Sequence, residues 1–299
     1  MENLKFTDVI KSYEEKDSEV NYKVVEKPSE ERAVIKNDVK RTTFLSVNEK
    51  DKDKVKYLRS LLCDIVESIP VNYVQGMSEV SSVFVVYYFS EEYDRFSIRI
   101  LEGSSKDDDE STEAKSFSVE KKQEYEAFKE SVDEKIQNCR VVLTNVFNRK
   151  FVPLVEDNFK LYKANVEVFI QMMKKRNVNI EETNAYMFMG SVFTFFFRDV
   201  TTIEDAYKMF EIVLSCPLST LFLLSVIYYD KISKKEQIEY VDDNLYQSVI
   251  LLEKEFVETR ENLKAKKNSF FSKNAILIGG AIGFVVAVAL YRMNKRDPQ

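Results

Sequence analysis

Apolar residues recur at helical spacing through most of this chain. Between residues 54 and 66, Val55, Leu58, Leu62, Ile65 and Val66 fall along one face, which predicts an amphipathic helix ended by Pro70. From Gln75 a second helix is predicted through Met77, Val80, Val83, Val85 and Val86 into Tyr87, Tyr88 and Phe89, apolar enough to be central core, with Gln75 at its beginning. The valine-rich run also suits a strand, but helical patterns on both sides and the lack of hairpin turns favour the helix. Helical texture resumes near residue 120, passes Val141, Val142, Leu143, Val146 and Phe147, and continues over 157–175 with Phe159, Leu161, Tyr162, Val166, Phe169, Ile170 and Met173. Thr201-Thr202-Ile203-Glu204 has the Thr-x-x-Glu form of a capping box. Residues 217–229, PLSTLFLLSVIYY, read as a buried helix with proline in its first turn. Beyond Asp230 the chain turns charged but keeps an apolar stripe through Leu245, Val249, Leu252 and Phe256. Residues 102–118, EGSSKDDDESTEAKSFS, are acidic and aperiodic, and are expected to form a solvated loop.

Composition agrees with an all-α architecture. Six glycines and five prolines in 299 residues leave little material for hairpins or glycine-rich phosphate loops, while 44% apolar content can fill a substantial core. Histidine is absent, and Cys63, Cys139 and Cys216 stand at no metal-like spacing. Zinc sites, Ser-His-Asp triads and Cys-His nucleophiles are therefore excluded, no metal site is expected, and three unpaired cysteines suit a reducing compartment. A net charge of −6 with no basic stripe argues against nucleic-acid binding.

The exception to solvent-adapted patterning is Ala275–Tyr291, AILIGGAIGFVVAVALY, which carries no charge and is flanked by Lys264, Lys266, Lys267 and Lys273 before it and Arg292, Lys295 and Arg296 after it. As a helix it would be about 26 Å long, close to the roughly 27 Å hydrocarbon thickness of an endoplasmic-reticulum bilayer. A buried core helix is the competing reading, but the run has no polar face. MENLKFTDVIKSYEEK at the N-terminus does not resemble a signal peptide, so the expectation is a tail anchor inserted after synthesis, with residues 1 to about 273 facing the cytosol. Gly279 and Gly283 match the small-residue pattern through which membrane helices pair weakly. Basic flanks on a short anchor also suit a mitochondrial-type outer membrane.

Two strings carry the candidate chemistry: Ile35-x-x-Asp38-x-x-Arg41-Thr42 and Tyr73-x-Gln75-Gly76-Met77. An arginine and a glutamine offered together are what a GTPase needs for rapid hydrolysis. The first neutralises charge developing on the phosphoryl oxygens and the second orients the attacking water. The strings resemble the IxxDxxRT and YxQG motifs of TBC-domain Rab GTPase-activating proteins, in the right order. Lys208-Met209-Phe210-Glu211 looks like a rewriting of that family's R-x-W-D block, and MGSVFTFFFRDV (189–200) resembles the aromatic helix before it. The resemblance covers roughly residues 25–260. The chain departs from the pattern in having no tryptophan and no Arg-x-x-x-Trp opening.

The resemblance implies a TBC-type helical domain over 25–260, preceded by an N-terminal helical extension (1–24) and followed by a basic juxtamembrane linker (261–274), the transmembrane helix (275–291) and a short tail (292–299). It implies Arg41 as arginine finger and Gln75 as glutamine finger, reaching in trans into a GTP-loaded Rab, with the supplied glutamine replacing the Rab's own. Asp38 would orient the finger, Ile35, Thr42 and Tyr73 would support or shape the same surface, and Gly76 would allow close backbone approach. The chain would not itself be a nucleotide hydrolase and would hold no cofactor, GTP and Mg²⁺ being bound by the partner Rab. A TBC domain with a C-terminal anchor resembles the subgroup of the endoplasmic reticulum that acts on the ER-to-Golgi Rab. Two other readings are a tail-anchored tether that binds a Rab or coat component without accelerating hydrolysis, and a membrane-anchored helical bundle unrelated to GTPases.

Overall fold

The computed structural model describes residues 5–48, 50–104, 119–196, 200, 202–242 and 244–267. The segment 275–291 expected to cross the membrane and residues 105–118 of the expected acidic loop lie outside these; among the described residues no helix is long and apolar enough to span a bilayer. No strand occurs among the described residues.

The central element is α5 (Met77–Ser104), whose first three turns are buried on every side: Val80, Val83, Phe84, Val85 and Phe89 are closed off from solvent, together with Ser81 and Ser82. A helix surrounded in this way has no polar face, so its sequence is a continuous apolar run rather than an amphipathic one. Around it pack α2 (Ser29–Arg41), α3 (Thr43–Asn48), α4 (Lys52–Ser68), α6 (Val119–Lys150) and α9 (Ile203–Ser215). In α4 the residues Val55, Leu58, Leu62, Ile65 and Val66 are all buried, as their spacing predicts, and Asp51 caps the helix by accepting from the amides of Asp53 and Lys54. A second layer comprises α7 (Val152–Lys175), α8 (Glu182–Met189), α10 (Thr220–Ser233) and a final helix, α11 (residues 245–267). Leu245, Val249 and Phe256 of α11 are buried, and Arg176 pairs with Glu255 through two hydrogen bonds of 3.1 and 2.7 Å. That fork geometry fixes α11 onto the end of α7.

The structure alters several sequence expectations. The N-terminal helix α1 (Phe6–Glu14) packs into the core, with Phe6, Val9, Ile10 and Tyr13 buried against α6 and α9. Helix α5 runs to Ser104, so residues 102–104 of the expected loop are helical. The cap of α9 sits one residue later than the Thr-x-x-Glu pattern suggests, with Thr202 accepting from the Asp205 amide at 3.1 Å. Pro217 precedes α10 instead of lying in its first turn. The aromatic segment from 189 is not one helix. A 3-10 turn, Gly190–Thr194, is followed by Phe195 and Phe196 at φ 49° and 62°, a left-handed break that turns both rings into the core. Helix α7 is also interrupted, by Asp157, Asn158 and Phe159 at φ 49°, 57° and 62°.

Candidate functional site

Arg41 is the last residue of α2. Ile35 and Val39, one turn apart, are buried and fix that helix on the core, which leaves Lys36, Lys40 and Arg41 exposed at its C-terminal end, where the helix dipole favours cations. The chain then turns sharply. Thr42, fully buried, donates its hydroxyl to the Asp38 carbonyl at 3.1 Å, and α3 begins at Thr43.

Gln75 and Gly76 form the turn just before α5, two residues ahead of the helix and not within it. Gly76 has φ +108°, and an added Cβ would lie 2.3 Å from the Phe193 carbonyl oxygen. Both facts demand glycine: the backbone conformation is unfavourable for L side chains, and the 3-10 turn leaves no room for one.

Arg41 and Gln75 meet across one cleft of about 390 Å³, lined by Asp38, Arg41, Thr43, Gln75, Gly76, Ser78 and Glu79. Two polar ties hold its walls. The Tyr73 hydroxyl lies 2.9 Å from Asp38 Oδ2 and 3.2 Å from Ser78 Oγ, so its one proton goes to the carboxylate and it accepts from the serine. Burial, with Asp38 alongside, pushes the Tyr73 phenol well above its ordinary range and keeps it a donor. Across the floor, buried Glu79 of α5 accepts from Thr43 Oγ1 at 3.0 Å and from the Phe44 amide at 3.3 Å, capping α3. Outside the cleft, the Tyr73 amide donates to Glu31 at 2.8 Å, and Glu31 pairs with buried Lys27, whose ammonium also donates to the Val71 carbonyl at 2.6 Å.

These ties show what Asp38 holds within the chain. Asp38 holds Tyr73, and no hydrogen bond or ion pair joins it to Arg41. It locks the Tyr73 loop, which carries Gln75, to the helix that carries Arg41. Thr42 is an internal brace, and Ile35 is core. By contrast Arg41 and Gln75 are exposed and have no hydrogen-bonding or ionic partner among the described residues. Sequence reasoning missed Thr43, Ser78 and Glu79, although Glu79 lies only four residues past Gln75. No group of His, Cys, Asp or Glu suited to a metal ion occurs among the described residues.

The cleft thus presents a free cation and a free amide on rigid supports, and its acids are engaged with neighbouring donors. Such a site stabilises charge on an incoming group and positions water near it. This class of site, on an all-α domain, agrees with the family comparison: residues 3–238 match the model of the Rab-GTPase-TBC domain, and the chain belongs to that family. The match begins at residue 3, so it includes α1. The chain is also similar to a protein of Encephalitozoon cuniculi (strain GB-M1) described as an uncharacterized membrane protein, with 40% identity over 307 residues, covering 99% of this chain and 100% of that relative. No solved structure matches. Membership of the family gives the general activity, activation of a Rab GTPase, and the general partner, a Rab.

Proposed function

We propose that this protein accelerates GTP hydrolysis on a Rab by inserting Arg41 and Gln75 together into the partner's nucleotide site. The observation that carries the reading is the convergence of these two side chains on one cleft, each without a partner in its own chain. Arg41 places its guanidinium against the phosphoryl oxygens as charge develops there, and Gln75 orients the attacking water. An arginine finger contributes roughly 10³ to 10⁵ in rate, about 4 to 7 kcal/mol of transition-state stabilisation. The replacement of the family's tryptophan by Phe210 does not touch the cleft, because Phe210 is fully buried against Phe84 and Phe195. The tether reading therefore draws no support from that departure.

Residues 275–291 anchor the protein in the endoplasmic-reticulum membrane, and the substrate is the Rab of ER-to-Golgi traffic. The length and purity of the apolar run support an anchor, and the relative's description as a membrane protein is in keeping with it. The test is single-turnover GTP hydrolysis by a panel of Rabs, the ER-to-Golgi one included, with the full-length protein in detergent. Wild type is expected to accelerate one Rab strongly, with Arg41→Ala and Gln75→Ala each losing at least 100-fold, roughly the scale of a removed transition-state donor. Folded protein that binds a Rab yet accelerates none would replace this reading with the tether. Accumulation of the tagged protein on another organelle would overturn the endoplasmic-reticulum assignment alone.

A further inference from the structure

The cleft cannot hold a protein partner by itself. Its seven lining residues form a pocket of nucleotide-group size, whereas a specific protein interface covers about 800 Å² on each side, so a bound Rab must also rest on the rims. The rim on the α2 side carries the exposed charges of Lys36 and Lys40. The rim on the Gly76 side is aromatic. Phe193, whose backbone abuts Gly76, has its ring centroid 5.1 Å from Tyr162 and 6.3 Å from Phe159, and Tyr162 lies 6.0 Å from Tyr186. Tyr162 is buried, Phe193 and Tyr186 are half-buried, and Phe159 stands 41% exposed, edge-on to Phe193 at 86°.

The backbone that presents Phe159 is strained. Three consecutive residues other than glycine, Asp157 to Phe159, are left-handed and follow an extended Glu156 at a kink between two right-handed helical stretches, a conformation that bulky L residues adopt only when the surroundings impose it. That strain does not bury the ring. It leaves a large aromatic side chain in solvent, in ring contact with Phe193, whose backbone abuts the turn that carries Gln75. Exposed aromatics on a rigid aromatic backing are what interface anchors are made of, and strained backbone clusters at such places.

We infer that Phe159, backed by Phe193 and Tyr162, is a docking anchor that takes an apolar patch of the GTP-loaded Rab beside its nucleotide site. The inference rests on the reading that the cleft receives that nucleotide. It assigns affinity to the aromatic rim and rate to Arg41 and Gln75. The experiment measures binding of the full-length protein to the most strongly activated Rab, loaded with a non-hydrolysable GTP analogue, alongside the single-turnover rate at saturating protein. Phe159→Ala is expected to weaken binding about 5- to 30-fold while leaving the saturating rate unchanged. Phe159→Gly removes the ring at a position where glycine suits the backbone, so it keeps the fold and is expected to show the same loss. Leu251→Ala, which trims an exposed apolar side chain of α11, is expected to change neither quantity. Wild-type affinity in Phe159→Gly overturns the anchor alone. No binding of any loaded Rab by the wild-type protein overturns the Rab reading, and the anchor with it.

Discussion

At the scale of single residues, Gly76 has the least freedom of any position around the cleft. Its φ of +108° and the 2.3 Å separation between an added Cβ and the Phe193 carbonyl oxygen act together, because relief of one does not relieve the other. Moving the backbone to a normal φ displaces Gln75, the preceding residue, and pushing Phe193 away opens the aromatic rim. Gly76→Ala is therefore expected to cost roughly 2–4 kcal/mol of stability, as strained left-handed backbone and overpacking add. It should also lower Rab activation more than the stability loss alone explains, since Gln75 must sit within a fraction of an ångström of its working position. Urea unfolding and GTP turnover of the same preparation check both parts, and a variant with wild-type values in both would refute the argument. Phe210 makes the complementary point. It fills the interior with a smaller ring than the family's tryptophan, between Phe6, Phe84 and Phe195, so the departure concerns packing and not chemistry.

At the scale of elements, α1 shows how a short helix becomes part of a core that begins far away in sequence. Nine residues are too few for a stable isolated helix, so α1 depends on its docking contacts. Its first amide, Phe6 N–H, donates to Glu211 at 2.7 Å, and the Phe6 ring stacks on Tyr207 with centroids 4.4 Å apart. At its other end the Tyr13 hydroxyl donates to the Leu214 carbonyl, and the Asn145 amide donates to the carbonyls of Tyr13 and Glu15. Phe6→Ala is expected to lose about 3–5 kcal/mol and Glu211→Ala about 1–3 kcal/mol, with the double variant less than additive because both act on one contact. Urea unfolding of the three variants measures this, and a Phe6→Ala loss below about 1 kcal/mol would return α1 to the status of an appended segment. The example marks what was legible in the sequence. The periodicity of α4 and α11 and the continuous apolar run of α5 follow from local geometry and are written into each segment. The Arg41 and Gln75 strings were legible because each is contiguous. The partners of Glu211 and Glu79, and the backbone pressed against Gly76, belong to contacts distant in sequence that leave no periodic trace. The left-handed breaks at 157–159 and 195–196 were hidden for another reason: only Asp157 and Asn158 are residue types that favour that conformation, and phenylalanine carries no such signal.

At the scale of the whole molecule, the proposed anchor makes the distance between the helical domain and the bilayer the governing quantity. Helix α11 is tied to the domain up to its last described residue, Lys267, which donates to Glu167 at 2.6 Å, and the apolar segment begins at Ala275. Eight peptide steps separate them and reach at most about 30 Å even when fully extended. The proposed anchor would therefore hold the end of α11 within about 30 Å of the membrane, the surface on which a lipid-anchored Rab also resides. Confinement of both partners to one surface converts encounter into a nearly intramolecular event at an effective concentration near millimolar, far above that of dilute protein. With the full-length protein reconstituted in vesicles at nanomolar bulk concentration, activation of a Rab tethered to the same vesicles is expected to exceed that of the same Rab free in solution by about 100-fold or more. The advantage should vanish when Rab and activator sit on separate vesicles, because a span of about 30 Å lets the domain serve its own surface better than an opposing one. Equal rates for tethered and free Rab would show that the apolar segment does not hold the domain at the bilayer. Equal rates on shared and separate vesicles would show instead that the domain works across membranes, as a tether-like activator would.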